Sequence, residues 1–423
     1  MNTAPASTAC FPILAPAGHG QAVEQQGSRP WIAYVGPFHY PEGGAAARRV
    51  RGMAESFSLA GFDVVVASGA GDSVEDADTL IRQAPGISYC LLPERMAEHW
   101  PRPLRRFRYA WMGARTVAWL ASRPTPPAAV VLYSGYTPYL QRLLPWCRRN
   151  GVCLLFDAVE WYEPEHVTGY LTSPYQWNIE WAMRRLIPKT GGVIAISCYL
   201  AEYYRGRGLP VAIVPPTTSA VAAGDWQPDA TLRLCYAGSP GSHKDDLDTV
   251  LQAVARLAGT GAAVRLDVAG PEPLQVAALL GLDSCAGIPW LHAHGMLPQA
   301  AVGQLVGRAD FTVLVREDRR QSNAGFPTKF VESFASGTPV IANLTSDLGQ
   351  YLRDGETGLV CGSNGVDSLA ATLHRALALD VAARRRMREA CLAQARGAFL
   401  PSSHAESLGQ LVAKASGALS QRR

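Results

Sequence analysis

Lys329 and Glu332 stand three residues apart, just after the turn formed by Gly325, Phe326 and Pro327 and ahead of a break at Gly337. Opposite charges at this spacing share one face of a helix. The unsatisfied N–H groups at the start of that helix favour an anion beside the turn. Gly325, Phe326, Pro327, Thr328, Lys329 and Glu332 therefore have the chemistry to hold a nucleoside diphosphate. Amides and an ammonium would meet phosphate, and a carboxylate would meet ribose hydroxyls. The same residues would equally serve an ordinary helix–strand unit with a solvated ion pair.

A second phosphate-binding pattern occupies residues 236–246, which pass through Gly238 and Ser239 to Lys244 at a helix start. Backbone amides and an ammonium there would cradle a diphosphate; a plain flexible connector is the alternative. Gly43 and Gly44 permit close backbone approach to a phosphate or sugar, and Arg48 follows at a helix start. Residues 157–166 bring Asp157, Glu160, Trp161 and His166 to the end of an apolar run. Sites in α/β proteins lie at such strand ends, and carboxylates with aromatic faces suit sugar hydroxyls. The alternative is a polar loop in which Asp157 caps the next helix. Residues 100–120 mix Trp100, Trp111 and Trp119 with Arg102, Arg105, Arg106 and Arg108. Such a stretch suits either an anionic membrane surface or a core helix with a solvated face.

These residues need a scaffold, and the apolar runs supply one. Runs at 30–35, 62–67, 128–133, 151–157, 192–197 and 212–215 alternate with helix-length segments such as 45–59. That order implies a parallel sheet covered on both faces. Residues 215–225, rich in Pro, Thr and Ala, read as a linker. A second series follows at 232–237, 264–269, 291–295, 311–315, 339–342 and 359–360, with helices at 246–257 and 298–307. The expected fold is α/β, with two doubly wound, Rossmann-like domains facing a cleft. The expected boundaries are a flexible extension at 1–29, a first domain at 30–216, a linker at 217–229, a second domain at 230–398 and a terminal helix at 399–423.

Composition agrees with this plan. At 423 residues the chain exceeds one ordinary core. Hydrophobic residues make up 48% and charged residues 17%, which places it among globular chains. A net charge of +4 is too small to imply nucleic acid. No apolar run is long enough for a transmembrane helix, and the first residues lack a signal-peptide pattern. Nine scattered cysteines, odd in number and without a C-x-x-C pair, suit buried free thiols in the cytoplasm rather than disulfides or zinc.

The segment from Glu332 through Gly337, Pro339 and Ala342, followed by Asp354-Gly-Glu-Thr-Gly-Leu-Val360, resembles the signature of the retaining glycosyltransferases of family 4 (glycosyltransferase group 1), which have the GT-B fold. The resemblance runs from residue 30 to the last helix and is closest over 325–360. It implies sugar transfer with retention from a nucleotide diphosphate sugar, without cofactor or metal. Lys244 then matches a lysine that holds the donor pyrophosphate. Gly270 lies in a donor-side turn, His294 and Gly295 lie beside the nucleobase, and Gly43, Gly44, Arg48 and Trp161 face the acceptor. Asp157, Glu160, His166 and Lys244 are the catalytic candidates, and the last helix is expected to cross back to the first domain. Two positions depart from the pattern: Ala324 replaces a glutamate that contacts the donor sugar, and Ser239 replaces an arginine. The expected acceptor is a glycan or lipid-linked intermediate of cell-surface polysaccharide assembly, met at the inner membrane face. A nucleotide-sugar epimerase of the same fold and a donor-binding subunit without turnover are the alternatives.

Overall fold

The computed structural model describes residues 29–71, 79–94, 110–163, 173–238 and 245–420. The first half runs β1 (Trp31–Gly36), α1 (Gly44–Leu59), β2 (Asp63–Ser68), β3 (Ile81–Ala84), β4 (Ile87–Leu91), α2 (Ala114–Ala121), β5 (Ala129–Tyr133), α3 (Tyr136–Asn150), β6 (Cys153–Ala158), α4 (Pro174–Trp181), β7 (Gly192–Ala195), α5 (Cys198–Arg205) and β8 (Val211–Ile213). These strands form one sheet in the order β3-β4-β2-β1-β5-β6-β7-β8. β6 and β7 are buried at every position, because helices cover both faces. β3 departs from the parallel sheet expected from the sequence: it pairs antiparallel with β4. Gly86, at φ 72°, turns this hairpin, and exposed Arg82 sits on the outer strand, where a charge blunts a sheet edge.

The second half runs β9 (Leu232–Ala237), α6 (Leu247–Gly259), β10 (Val264–Ala269), α7 (Pro273–Leu279), β11 (Leu291–Gly295), α8 (Gln299–Arg308), β12 (Phe311–Leu314), α9 (Arg320–Ala324), α10 (Thr328–Ala335), β13 (Val340–Asn343), β14 (Gly358–Cys361), α11 (Val366–Ala378), α12 (Val381–Ala398) and α13 (Ala405–Ser420). Its sheet is parallel throughout, in the order β11-β10-β9-β12-β13-β14. The strand order reverses between β9 and β12, so a crevice opens at their carboxyl ends.

Two chain crossings join the halves. The connector after β8 is pinned along its length: Ala222 and Gly224 donate to the carbonyls of Ala335 and Ser336 at the end of α10. The Trp226 indole donates to Asp310 at 2.9 Å, under the Arg388 guanidinium. The second crossing returns α13 to the first sheet, where Leu408, Leu411, Val412 and Ala415 pack with Ile32, Leu155 and Ile194. The crossings meet where the Thr218 amide donates to the Phe399 carbonyl.

Candidate active site

A cleft of about 200 Å³ lies between the sheets. α1 lines it with Arg48, Arg51 and Gly52, the crossing with Thr217, Thr218 and Ser219, and α10 with Thr328, Val331 and Glu332; Tyr133 and Glu160 close one side. The entry to α1 depends on Gly43, whose φ is 150° and where a Cβ would stand 2.7 Å from His39. Gly52 lets the crossing pack on α1, since a Cβ there would meet the Thr217 hydroxyl at 1.8 Å. Arg48 reaches across the cleft to Glu332 at 3.2 Å and to Gln299 at 3.3 Å. The ion contact lacks hydrogen-bond alignment, and both Glu332 Oε1 and Thr217 Oγ1 are buried without a hydrogen-bond partner. Burial pushes the Glu332 carboxyl above its ordinary range, against the opposing pull of Arg48 and Lys329. An acceptor and a donor of hydrogen bonds thus stand unsatisfied on the walls of one cleft, which suits a ligand rich in hydroxyls.

The crevice of the second sheet concentrates positive charge. Asp245, just past the loop after β9, is buried and holds two cations: Arg316 at 2.8 Å and the Lys329 ammonium. Burial alone would raise its carboxyl; Lys329 and Arg316 outweigh that and leave it below the ordinary value. Lys329 rises from the first turn of α10, and its Nζ lies 4.7 Å above the Tyr236 ring. Arg316 follows β12, and its backbone is fastened to the Asn343 side chain at the end of β13. Two cations thus converge on one carboxylate beside Gly238 at the switch point, with Asp246 next to it capping α6. Gly270, φ 115°, closes the neighbouring turn, since a Cβ there would sit 1.5 Å from the Gly238 carbonyl oxygen.

Residues 231–378 match the profile described as "Glycosyl transferases group 1". Residues 44–217 match "Glycosyl transferase 4-like domain". The chain is a GT-B glycosyltransferase. Solved structures agree on the fold of this transferase. A sucrose-phosphate synthase from Thermosynechococcus elongatus superposes with TM-score 0.70 at 18% identity, over 92% of this chain and 100% of the other. A trehalose-6-phosphate enzyme from E. coli bound with UDP-2-fluoro glucose gives 0.64 at 11% identity, over 90% and 99%. A lipopolysaccharide outer core galactosyltransferase gives 0.61 at 14%, over 90% and 98%. Among curated proteins no sequence matches.

The transferase brings together Arg48, Glu160, Phe326, Thr328 and Glu332 at the cleft. Lys329, Gly238 and Gly270 gather at the crevice, and Gly295 pairs with Ala269 beside them. Two expected roles are corrected. Asp157 is completely buried, with both carboxylate oxygens taken by Arg49 and one also by the Tyr34 hydroxyl, so it anchors α1 and is not a catalytic group. Trp161 is 2% exposed, with its indole donating to Glu180 and Arg184 and Arg320 stacked on its ring, so it offers no face to an acceptor. Phe326 lines the cleft and also joins an aromatic cluster with Phe330, Tyr351 and Phe399. His294 is tied to Asp267 at 2.7 Å on the edge strand β11, with a ring that is 29% exposed. Gly44 and the turn residues Gly325 and Pro327 flank the starts of α1 and α10. His166, Ser239 and Lys244 lie outside the described residues, as do Arg102, Arg105, Arg106 and Arg108.

Arg49, Asp245 and Arg316 were missed from the sequence. Arg49 sits beside Arg48 but one helix position inward, where it also donates to the carbonyls of Val214 and Pro215 at 2.6 and 2.9 Å. Arg316 meets Asp245 from 71 residues away, and no local pattern announces such a pair. Arg49 had one available signal: an arginine on the apolar face of an amphipathic helix needs a buried carboxylate, and Asp157 ends a buried strand.

Proposed function

We propose that this enzyme transfers a sugar, with retention, from a nucleotide diphosphate sugar to a glycan or lipid-linked acceptor in cell-surface polysaccharide assembly. The observation that carries the donor reading is the pair of cations, Lys329 and Arg316, gathered on Asp245 at the switch point of the second sheet. A leaving diphosphate develops negative charge, and preorganised cations stabilise it without rearranging. Glu332 faces the cleft one turn from Lys329 and accepts ribose hydroxyls, while Arg48 guards the opposite wall. Glu160 and Glu55 are the first-domain carboxylates that line the cleft, and Glu160 is the catalytic candidate in this reading. The two profile matches support retention and the donor class. In this reading Lys244 and Ser239 would meet the diphosphate, and His166 is a catalytic candidate. Among the described residues no cluster of His, Cys, Asp or Glu could hold a metal ion, and no helix is long and apolar enough to cross a membrane. The proposed location is the cytoplasm, with peripheral contact at an anionic membrane face.

The test is incubation of EDTA-treated enzyme with a mixed pool of nucleotide sugars and a glycolipid extract. Mass spectrometry then follows nucleotide release and sugar-bearing product, and NMR reads the anomeric configuration. Retained configuration on an acceptor supports the proposal. Release of a free, epimerised sugar would establish the epimerase reading instead, and an inverted product would remove retention.

A further inference from the structure

Arg320 crosses between the two halves of the chain. It opens α9, in the second half, and its side chain is only 14% exposed. One terminal nitrogen donates to the Tyr162 carbonyl and to Glu180 Oε1, each at 3.1 Å. Its Nε lies 3.2 Å from Glu163 Oε1, and its guanidinium stands 4.9 Å above the Trp161 ring. All four partners belong to the first half: Trp161, Tyr162 and Glu163 follow β6, and Glu180 lies in α4. The rest of α9 lies along the same loop. The Ala324 carbonyl accepts from Ser197 Oγ at 2.8 Å, and a Cβ on Gly325 would stand 3.7 Å from the Val159 carbonyl oxygen. The segment then turns into α10, which carries Lys329 and Glu332. One short stretch thus touches the donor cations at one end and the loop after β6 at the other.

That loop carries Glu160 to the cleft. Before Glu160 the chain leaves the sheet at Ala158, whose carbonyl accepts from Ile196 at 3.0 Å. After it, the fixed points are Trp161 and Tyr162. α4 supplies part of their hold, with Gln176 donating to the Tyr162 carbonyl at 3.1 Å and the Trp161 indole donating to Glu180 at 3.0 Å. Arg320 supplies the rest, and its charge is needed there. Arg184 reaches Glu180 at 2.6 Å from the exposed side, whereas Arg320 reaches both Glu180 and Glu163. Without it two carboxylates would repel each other at the end of the loop, partly shielded from solvent, where screening is weak. A planar guanidinium can meet a carbonyl, carboxylates and an aromatic face together, which an ammonium cannot. We propose that Arg320 is a positioning residue: it clamps residues 161–163 from the second half and so fixes Glu160 in the cleft, making the acceptor side of the site complete only when the donor-carrying half is docked on it. Its effect on turnover rests on the transferase reading, but the clamp itself can be tested without turnover.

The test variant is Arg320→Met, which keeps an apolar stem over Trp161 and removes the fork. Hydrogen exchange read by mass spectrometry comes first: amides of residues 159–163 should exchange faster in the variant, while those of β6 keep wild-type protection. Transfer and calorimetry come second. With a mixed nucleotide-sugar pool and a glycolipid extract, transferred sugar should fall on the order of 100-fold, the scale of a group displaced by about 1 Å from its productive position. Affinity for uridine and guanosine diphosphates should stay at the wild-type value, and Arg320→Lys should recover part of the lost transfer. Glu163→Gln, which removes one partner at the partly exposed loop end, should show the same pattern more weakly and replaces the Met variant if that fails to fold. Unchanged exchange in the loop would overturn the clamp. Undiminished transfer beside a loosened loop would overturn the positioning role, and so would nucleotide affinity lost together with transfer. Absent transfer by the wild-type chain would instead fault the transferase reading, and the exchange measurement would still decide the clamp.

Discussion

Replacing Lys329 by Ala removes one of the two cations on Asp245. The loss can be sized from the geometry. Unit charges about 4 Å apart at an effective dielectric of about 20 interact by about 4 kcal/mol. Lys329 is 28% exposed, so solvent screening removes roughly a third to a half of that. The remaining 2–3 kcal/mol, about, corresponds to a turnover ~30- to 150-fold slower. Folding should lose far less, at most about 1 kcal/mol, because Asp245 keeps Arg316 as its partner. The assay pairs steady-state kcat/KM with urea unfolding of the same preparation. Turnover within two-fold of wild type, or an unfolding loss as large as the kinetic one, would refute the argument. In the first case Lys329 does not meet the diphosphate; in the second it is chiefly structural. Lys329→Arg keeps the charge but changes its shape, and partial rescue there would show that charge is the active property.

Glu332→Gln should weaken nucleotide-sugar binding without unfolding the domain, as read by calorimetry. Burial has raised the Glu332 carboxyl, so its folded form holds a proton more tightly than the unfolded chain. Wild-type donor affinity should therefore fall in mildly acid solution before ordinary carboxylates titrate, and the Gln variant should lack that step. Asp245 has the opposite sign: its carboxyl is lowered, so its stabilisation is complete above the ordinary carboxylate value and fades as pH falls through the folded one. Asp245→Asn should flatten that acid limb in urea melts. Arg49→Met should cost about 3–5 kcal/mol of stability, because it leaves the buried Asp157 carboxylate without its ion-pair partner; a loss under about 1 kcal/mol would show that this pair does not hold the first domain together. Lys244→Ala should slow turnover about 100-fold if its loop meets the leaving diphosphate, and EDTA should leave turnover unchanged; activity restored only by Mg²⁺ or Mn²⁺ would point to a metal-dependent reaction.

Most strands of both sheets were legible because parallel strands buried on both faces read as unbroken apolar runs, as in Leu154, Leu155 and Phe156 or Val340, Ile341 and Ala342. The turn into α10 was legible for a local reason too, since Pro327 leads the helix and Lys329 and Glu332 follow at fixed spacing. β3 was missed because Ile81–Ala84 is short and has no buried position, and β4 because its buried Ile87 and Cys90 stand three apart, without strand alternation. The acidic loop after β6 was the harder case. Asp157 and Glu160 are three residues apart, yet one is sealed under Tyr34 and Arg49 while the other lines the cleft. Which carboxylate turns inward depends on where Arg49 sits, 108 residues away. Composition of the loop holds no trace of that distance, and Trp161 was misplaced for the same reason, its ring being claimed by Arg184 and Arg320.

One device recurs around the site. Asp157 at the end of β6 holds Arg49, Asp245 beyond β9 holds Lys329 and Arg316, and Asp267 in β10 holds Arg265 and His294. In the first two cases a carboxylate at or beyond a strand end stands behind a cation and fixes its direction, and Asp267 holds Arg265 from within β10. A cation placed this way loses little freedom when an anion arrives, and its partner needs no reorganisation as charge develops. Arg49 extends the device beyond the site: by donating also to the carbonyls of Val214 and Pro215, it ties the start of the crossing to α1, the helix that presents Arg48 to Glu332. The distance across the cleft is thus set from within the core of the first domain. A change that loosens Asp157 should act on donor affinity through the Arg48–Glu332 span, although neither Asp157 nor Arg49 reaches the donor crevice.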